Sequence, residues 1–154
     1  MAPFFSAVWE NLPVNPNRRF VMTVSSAPNG VIAPYGGTLV DLMVPAAEQA
    51  AVKASATKTL ECTDRNACDV ELLVVGGFSP ERGFMHQADY DSVVASHRTT
   101  SGYLFGLPIV MDTDSEDVAV GDKVLLTYKG QDLAVLTVED KWEPDKVVEA
   151  KGCY

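Results

Sequence analysis

Residues 60–94 read L-E-C-T-D-R-N-A-C-D-V-E-L-L-V-V-G-G-F-S-P-E-R-G-F-M-H-Q-A-D-Y-D-S-V-V, and this stretch decides the fold. It predicts a strand end, a capped helix, a glycine stop, a tight aromatic loop and a second capped helix. Thr63 and Asp64 are N-cap residues, whose side-chain oxygens accept from the free N–H groups of a first turn. Asp69 and Glu71 are read as complementing the positive end of the helix dipole. Ala67, Val70, Leu73 and Val74 recur at three- and four-residue spacing, so one face is buried. Gly76-Gly77 follows the last apolar residue, where a left-handed cap favours glycine. Phe78, Phe84 and Met85 then bracket a turn built on Ser79-Pro80 and Gly83. Asp89 opens the second helix, which runs to His97 with Tyr90, Val93 and Val94 at helical spacing.

Upstream, Gly36-Gly37 marks a turn that brings the backbone close to a neighbour. It lacks the G-x-x-x-x-G-K pattern of a phosphate loop. Pro45 suits a first helical turn, and the residues after it are helix formers to about Ala56. Thr57 to Thr63 alternates Leu60 and Cys62 against Thr59, Glu61 and Thr63, a half-buried strand. Downstream, Tyr103 to Asp112 is expected as a strand broken by Gly106 and Pro108, an edge or a bulge. Asp112 to Asp117 is a solvated acidic turn without the glycine and closing glutamate of a calcium loop. Lys123–Tyr128 and Asp132–Asp140 pair as a hairpin about Lys129-Gly130-Gln131. Trp142 is expected to plug the end of a barrel. Pro144 starts a short helix through Ala150, and Gly152 ends it. The sum is an α+β fold, a small curled sheet or pseudobarrel with two to three flanking helices.

Composition narrows the functional classes. Acidic residues outnumber basic ones, 21 to 12, for a net charge of −9. Nucleic acid and anionic membrane surfaces both select for Lys and Arg, so neither is an expected partner. The apolar runs are far shorter than a membrane span. Cys62, Cys68 and Cys153 are odd in number and show no C-x-x-C spacing, which speaks against a disulfide framework or a zinc site. Reduced thiols imply an intracellular setting, with Cys62 and Cys68 in the core. His86 and His97 lack H-x-x-H or H-E-x-x-H spacing and read as surface residues. Residues 1–30 hold Phe4, Phe5, Trp9, Arg18 and Arg19 with one acid, Glu10. Two readings stay open there: an arm laying its aromatics on a surface, or the remnant of an organelle leader.

Residues 68–90, C-D-V-E-L-L-V-V-G-G-F-S-P-E-R-G-F-M-H-Q-A-D-Y, closely resemble a pattern of the ATP sulfurylase (sulfate adenylyltransferase) family, C-D-x-E-L-L-x-x-G-G-F-S-P-x-x-G-F-M-x-x-x-D-Y. G-D-K-V-L-L through L-A-V-L-T-V-E-D-K-W-E-P-D-K, residues 121–146, is a second block similar to that family. Residues 34–42 resemble its P-H-G-G-x-L-V-x-L, with Tyr35 where the family has His, and residues 104–112 its L-x-x-x-P-I-x-x-D. The resemblance covers residues 31–154. It implies a PUA-like domain, the N-terminal and non-catalytic part of an enzyme of sulfate assimilation. That enzyme is a nucleotidyltransferase making adenosine phosphosulfate and pyrophosphate from ATP and sulfate.

In the family the catalytic domain carries Q-x-R-N-x-x-H and H-x-x-H, and neither occurs in this sequence. Arg65-Asn66 is the only Arg-Asn pair, and no glutamine stands two residues before Arg65. At Lys151–Tyr154 the resemblance reaches the junction where the family continues Gly-Thr-Thr-Asp, so the catalytic domain is expected to be missing. No catalytic residue, cofactor or metal ligand is assigned, and the chain is expected to be inactive alone. Its implied partner is that catalytic domain, with homo-oligomers a further expectation and the cytoplasm or an organelle such as a plastid the compartment. Phe78, Ser79, Pro80, Phe84 and Met85 are expected to form an exposed loop at the domain junction. The alternative is a self-standing PUA-like binding or regulatory module.

Overall fold

The computed structural model describes the backbone of residues 4–8 and all of residues 32–154. Strand β1 (Phe4–Val8) is followed by helix α1 (Ala46–Ser55), β2 (Lys58–Glu61), α2 (Asp64–Val74), β3 (Gly83–Phe84), α3 (Gln87–Ser96), β4 (Met111–Asp112), β5 (Lys123–Tyr128), β6 (Gln131–Trp142) and α4 (Lys146–Cys153). The strands form one sheet in the order β2-β5-β6-β1-β3, with β4 also paired to β1. β2 runs parallel to β5, while β5–β6 and all pairs of β1 are antiparallel.

The fold is α+β as expected, its sheet not closed, with four helices among the described residues where two to three were expected. Residues 1–30 were expected as a separate arm or leader remnant. Within them, Phe4–Val8 is a strand bonded to β6 on one side and to β3 and β4 on the other. Residues 9–31 lie outside the described residues.

Period-two alternation places Val124 and Leu126 of β5 and Leu136 and Val138 of β6 on the inner face. They meet Ala67, Val70 and Leu73 of α2, together with Phe84 and Met111, in the larger core. A second core gathers Met85, Val110 and Trp142 with Tyr90, Val93 and Val94 of α3. Trp142 therefore belongs to this helix-covered cluster, its ring 5.7 Å from that of Tyr90, rather than plugging a barrel end. The β5–β6 hairpin turns on Lys129 (φ 49°) and Gly130 (φ 78°), two successive left-handed residues that match the twist of the flanking strands.

Thr63 and Asn66 form a reciprocal capping box at the start of α2. Only Asp64 lies in the first turn; Asp69 and Glu71 come too late to act on the dipole. Helix α3 starts at Gln87, not Asp89, and Asp140 of β6 accepts its first N–H, from Gln87, at 3.0 Å. Asp89 instead receives the N–H and hydroxyl of Thr100, each at 2.7 Å. Of the expected strand at 103–112, only Met111–Asp112 joins the sheet, with an isolated bridge between Leu104 and Arg98. Cys62 is buried but Cys68 is exposed, on the outer side of α2. Asp145 rather than Pro144 caps α4, donating no proton but accepting from Val147 and Val148. Gly152 lies inside that helix, where a Cβ would stand 2.3 Å from the carbonyl oxygen of Val94.

Candidate functional site

The loop between α2 and α3 is where sequence reasoning placed a contact surface. Gly76 ends α2 with φ 80°, and a Cβ there would stand 2.6 Å from the Val40 carbonyl oxygen, so glycine is needed on both counts. Ser79 is buried. Its hydroxyl donates to the Gly76 carbonyl at 2.7 Å and accepts the Val40 N–H at 2.9 Å. Pro80, joined to Ser79 by a cis peptide, lies under the Gly36-Gly37 turn, and a Cβ on Gly36 would come within 2.7 Å of it. That is the close approach expected of the glycine pair.

The expected exposure is corrected here. Phe84 and Met85 are each only 2% exposed. Phe84 fills the larger core and Met85 the second, while Phe78 is half-buried against the larger one. Adjacent residues of an extended segment point to opposite sides, so one short strand serves both cores. Phe84 and Met85 are therefore spent inside the domain, while Phe78 keeps part of its surface exposed.

What the loop does expose is its turn. Pro80, Glu81, Arg82 and His86, with Asp89, Ser101 and Tyr103, line a cleft of about 280 Å³. The Glu81 carboxyl is pushed up to about 7, by burial first and by the charge of Asp89 second. Tyr103 forms one wall, and Tyr35 meets it edge to face at 5.6 Å. The Tyr35 hydroxyl accepts the Leu104 N–H at 2.7 Å. A hydroxyl thus does structural work at the position where the resembled family has His.

The two histidines are not brought together. His86 Nε2 is 3.4 Å from Glu139 and its Nδ1 is 4.0 Å from Asp140. His97 ends α3 in the left-handed conformation, its Nδ1 3.2 Å from the Gly106 carbonyl oxygen. The cleft includes His86 but neither His97 nor Tyr35. Arg65 and Asn66 both reach Asp112, at 3.4 and 3.3 Å, a tie from α2 to β4. The Cys62 thiol is pushed up to about 11, chiefly by burial and then by Glu61, which leaves it a poor nucleophile. The phenol of Tyr90 is raised by burial and by its 2.9 Å hydrogen bond to Glu149. No helix among the described residues is long and apolar enough to cross a membrane.

A family model described as a PUA-like domain matches residues 32–154. The sulfate adenylyltransferase of Neurospora crassa is 40% identical over 131 residues, covering 79% of this chain and 23% of its own length. That of Emericella nidulans is 41% identical over 128 residues, covering 77% and 22% respectively. Among solved structures, the hexameric APS kinase from Thiobacillus denitrificans superimposes with a TM-score of 0.66 at 31% identity, covering 75% of this chain and 24% of that one. The chain spans about a quarter of the length of the relatives it matches.

Proposed function

Because the chain belongs to the PUA-like domain family by the match over residues 32–154, we propose that it serves as the N-terminal, non-catalytic domain of an ATP sulfurylase. The observation that carries this reading is the pairing of 40% identity with coverage of only 23% of the relative's length. On this reading the reaction, adenylyl transfer from ATP to sulfate, belongs to a partner domain. Transferring a phosphoryl-linked group needs positive charge arrayed about the phosphates. The cleft at residues 80–103 offers instead two carboxylates and one exposed arginine. The domain's role is then to support the catalytic part and contacts between subunits; the neighbour named above is described as hexameric, which favours self-association. Cytoplasm or an organelle is the proposed compartment.

The test is pyrophosphate release from ATP and sulfate by this chain alone, and by a mixture with a Neurospora relative trimmed of its matching quarter. The chain alone should release nothing above a protein-free blank. The mixture should recover activity or thermal stability that the trimmed relative lacks. Release by the chain alone, surviving repurification, would refute the reading.

A further inference from the structure

Helix α4 is eight residues long, and none of them is buried. A helix that short does not hold itself in water. One side of it is supported by α3. The Tyr90 hydroxyl donates to Glu149 at 2.9 Å, Cys153 packs against the second core, and Gly152 lies against the Val94 carbonyl. The other side carries Val147 at 62% exposure, Val148 at 55% and Tyr154 at 85%, with Ala150 also exposed. Val147, Ala150 and Tyr154 follow one another at three- and four-residue spacing, so they share one stripe. The neighbouring α3 turns Gln87, Ala88, Asp91 and Ser96 outward instead. Apolar side chains grouped in this way mark a contact surface.

We propose that this outer face of α4 docks on the catalytic part that follows the domain in a sulfate adenylyltransferase, with Val147 and Tyr154 seated against apolar side chains there. The proposal rests on the reading of the chain as the N-terminal domain of such an enzyme, and it names the surface through which that domain is held. The family match runs through α4 to residue 154, while the chain spans only 23% of the Neurospora relative. On that reading the rest of the enzyme continues from the end of this helix. A tethered partner meets the face at a high effective concentration, so a small apolar surface is enough to hold it. A second copy arriving from solution is the poorer match. An eight-residue helix is about 12 Å long, and one of its faces falls well short of the roughly 800 Å² per partner that a stable free complex buries.

The test is a chimera in which this chain replaces the matching quarter of the Neurospora enzyme, studied beside the chain alone. Val147→Asp puts a carboxylate in the first turn of α4, where the helix dipole favours it, so the chain alone should keep its Tm within about 1 °C. In the chimera the same charge is driven into an apolar contact, and Tm should fall by about 4 °C or more, with pyrophosphate release lost in step. Tyr154→Ser should act in the same direction. Ala88→Asp, at the matching exposed position in the first turn of α3, should leave both proteins unchanged. An active chimera that tolerates Val147→Asp and Tyr154→Ser would overturn the docking face and leave the assignment to a sulfurylase standing. Equal losses in the chain alone would place the effect inside the domain and overturn it too. A chain that sediments as a dimer, split by Val147→Asp, would give the face to a second copy against the proposal. A chimera that neither melts cooperatively nor releases pyrophosphate would bring down the face and the assignment together.

Discussion

Truncating Phe84 to alanine separates a core residue from a docking residue. The side chain is 2% exposed and packs into the larger core beside Leu73, Met111 and Leu126, all of them buried. Removing a buried phenyl ring forfeits its transfer free energy and leaves a cavity, together about 3–5 kcal/mol. A domain of this size has about 5–15 kcal/mol in hand, so the variant should fold, but weakly. At about 2–4 °C per kcal/mol, its Tm should fall by about 6–20 °C. Urea unfolding followed by tryptophan fluorescence reads the same loss, since Trp142 is buried in the native state. Arg82→Ala, on the exposed side of the same turn, should stay within about 0.5 kcal/mol of the parent. A loss below about 1 kcal/mol for Phe84→Ala would refute the reasoning. The ring would then lie at a surface that a partner covers.

Three further outcomes follow from the geometry. Ser79→Ala removes the hydroxyl that links Gly76 to Val40 and leaves a buried N–H unpaired, so chemical denaturation should show a loss of about 2–3 kcal/mol. Gly152→Ala drives a methyl group into the Val94 carbonyl, and calorimetry should report about 1–3 kcal/mol lost as α4 shifts off α3. Glu81 binds its proton more tightly folded than unfolded, so its contribution to stability is full below its ordinary pKa near 4.5 and falls as pH rises to about 7. The difference in stability between the parent and Glu81→Gln, measured from pH 4 to 8, should therefore move against the parent across that window and level off above it.

Local signals in the sequence carried the elements whose determinants are local. The capping box at Thr63, the glycine stop at Gly76 and the Lys129-Gly130 hairpin each rest on residues within one turn of one another. What sequence reasoning missed is long-range. Phe4–Val8 pairs with residues 137–142, and nothing in F-F-S-A-V distinguishes a strand in that sheet from a surface arm. Residues 103–110 carry strand-forming side chains, but Gly106 and Pro108 leave them tied by a single bridge, one backbone bond from the Met85 N–H to the Ile109 carbonyl, and side-chain contacts. Gly152 read as a helix stop because glycine often is one; its cause is a neighbouring helix, which the sequence does not display. The Glu81 cleft was likewise invisible, because Asp89 and Tyr103 reach it from an adjoining helix and a later loop.

The 77–85 loop also shows how a motif can be read correctly and its purpose misread. Of its fixed positions in the resembled pattern, G-G-F-S-P-x-x-G-F-M, the structure buries Gly76, Ser79, Gly83, Phe84 and Met85, half-buries Phe78 and Pro80, and exposes Gly77. The two unspecified positions are Glu81 and Arg82, which line the cleft. A hydrophobic motif of this kind therefore specifies architecture: it seats one chain segment in two cores at once and fixes the turn between them. Glu81 sits half-buried on that frame, and burial first and the charge of Asp89 second make it hold its proton more tightly than a free carboxyl. Substituting the frame, as in Ser79→Ala, should lower stability at every pH. Glu81→Gln should alter stability mainly as pH rises from 4.5 to about 7, where the parent's half-buried carboxyl gives up its proton, and denaturation of Ser79→Ala beside Glu81→Gln from pH 4 to 8 tells the two kinds of position apart.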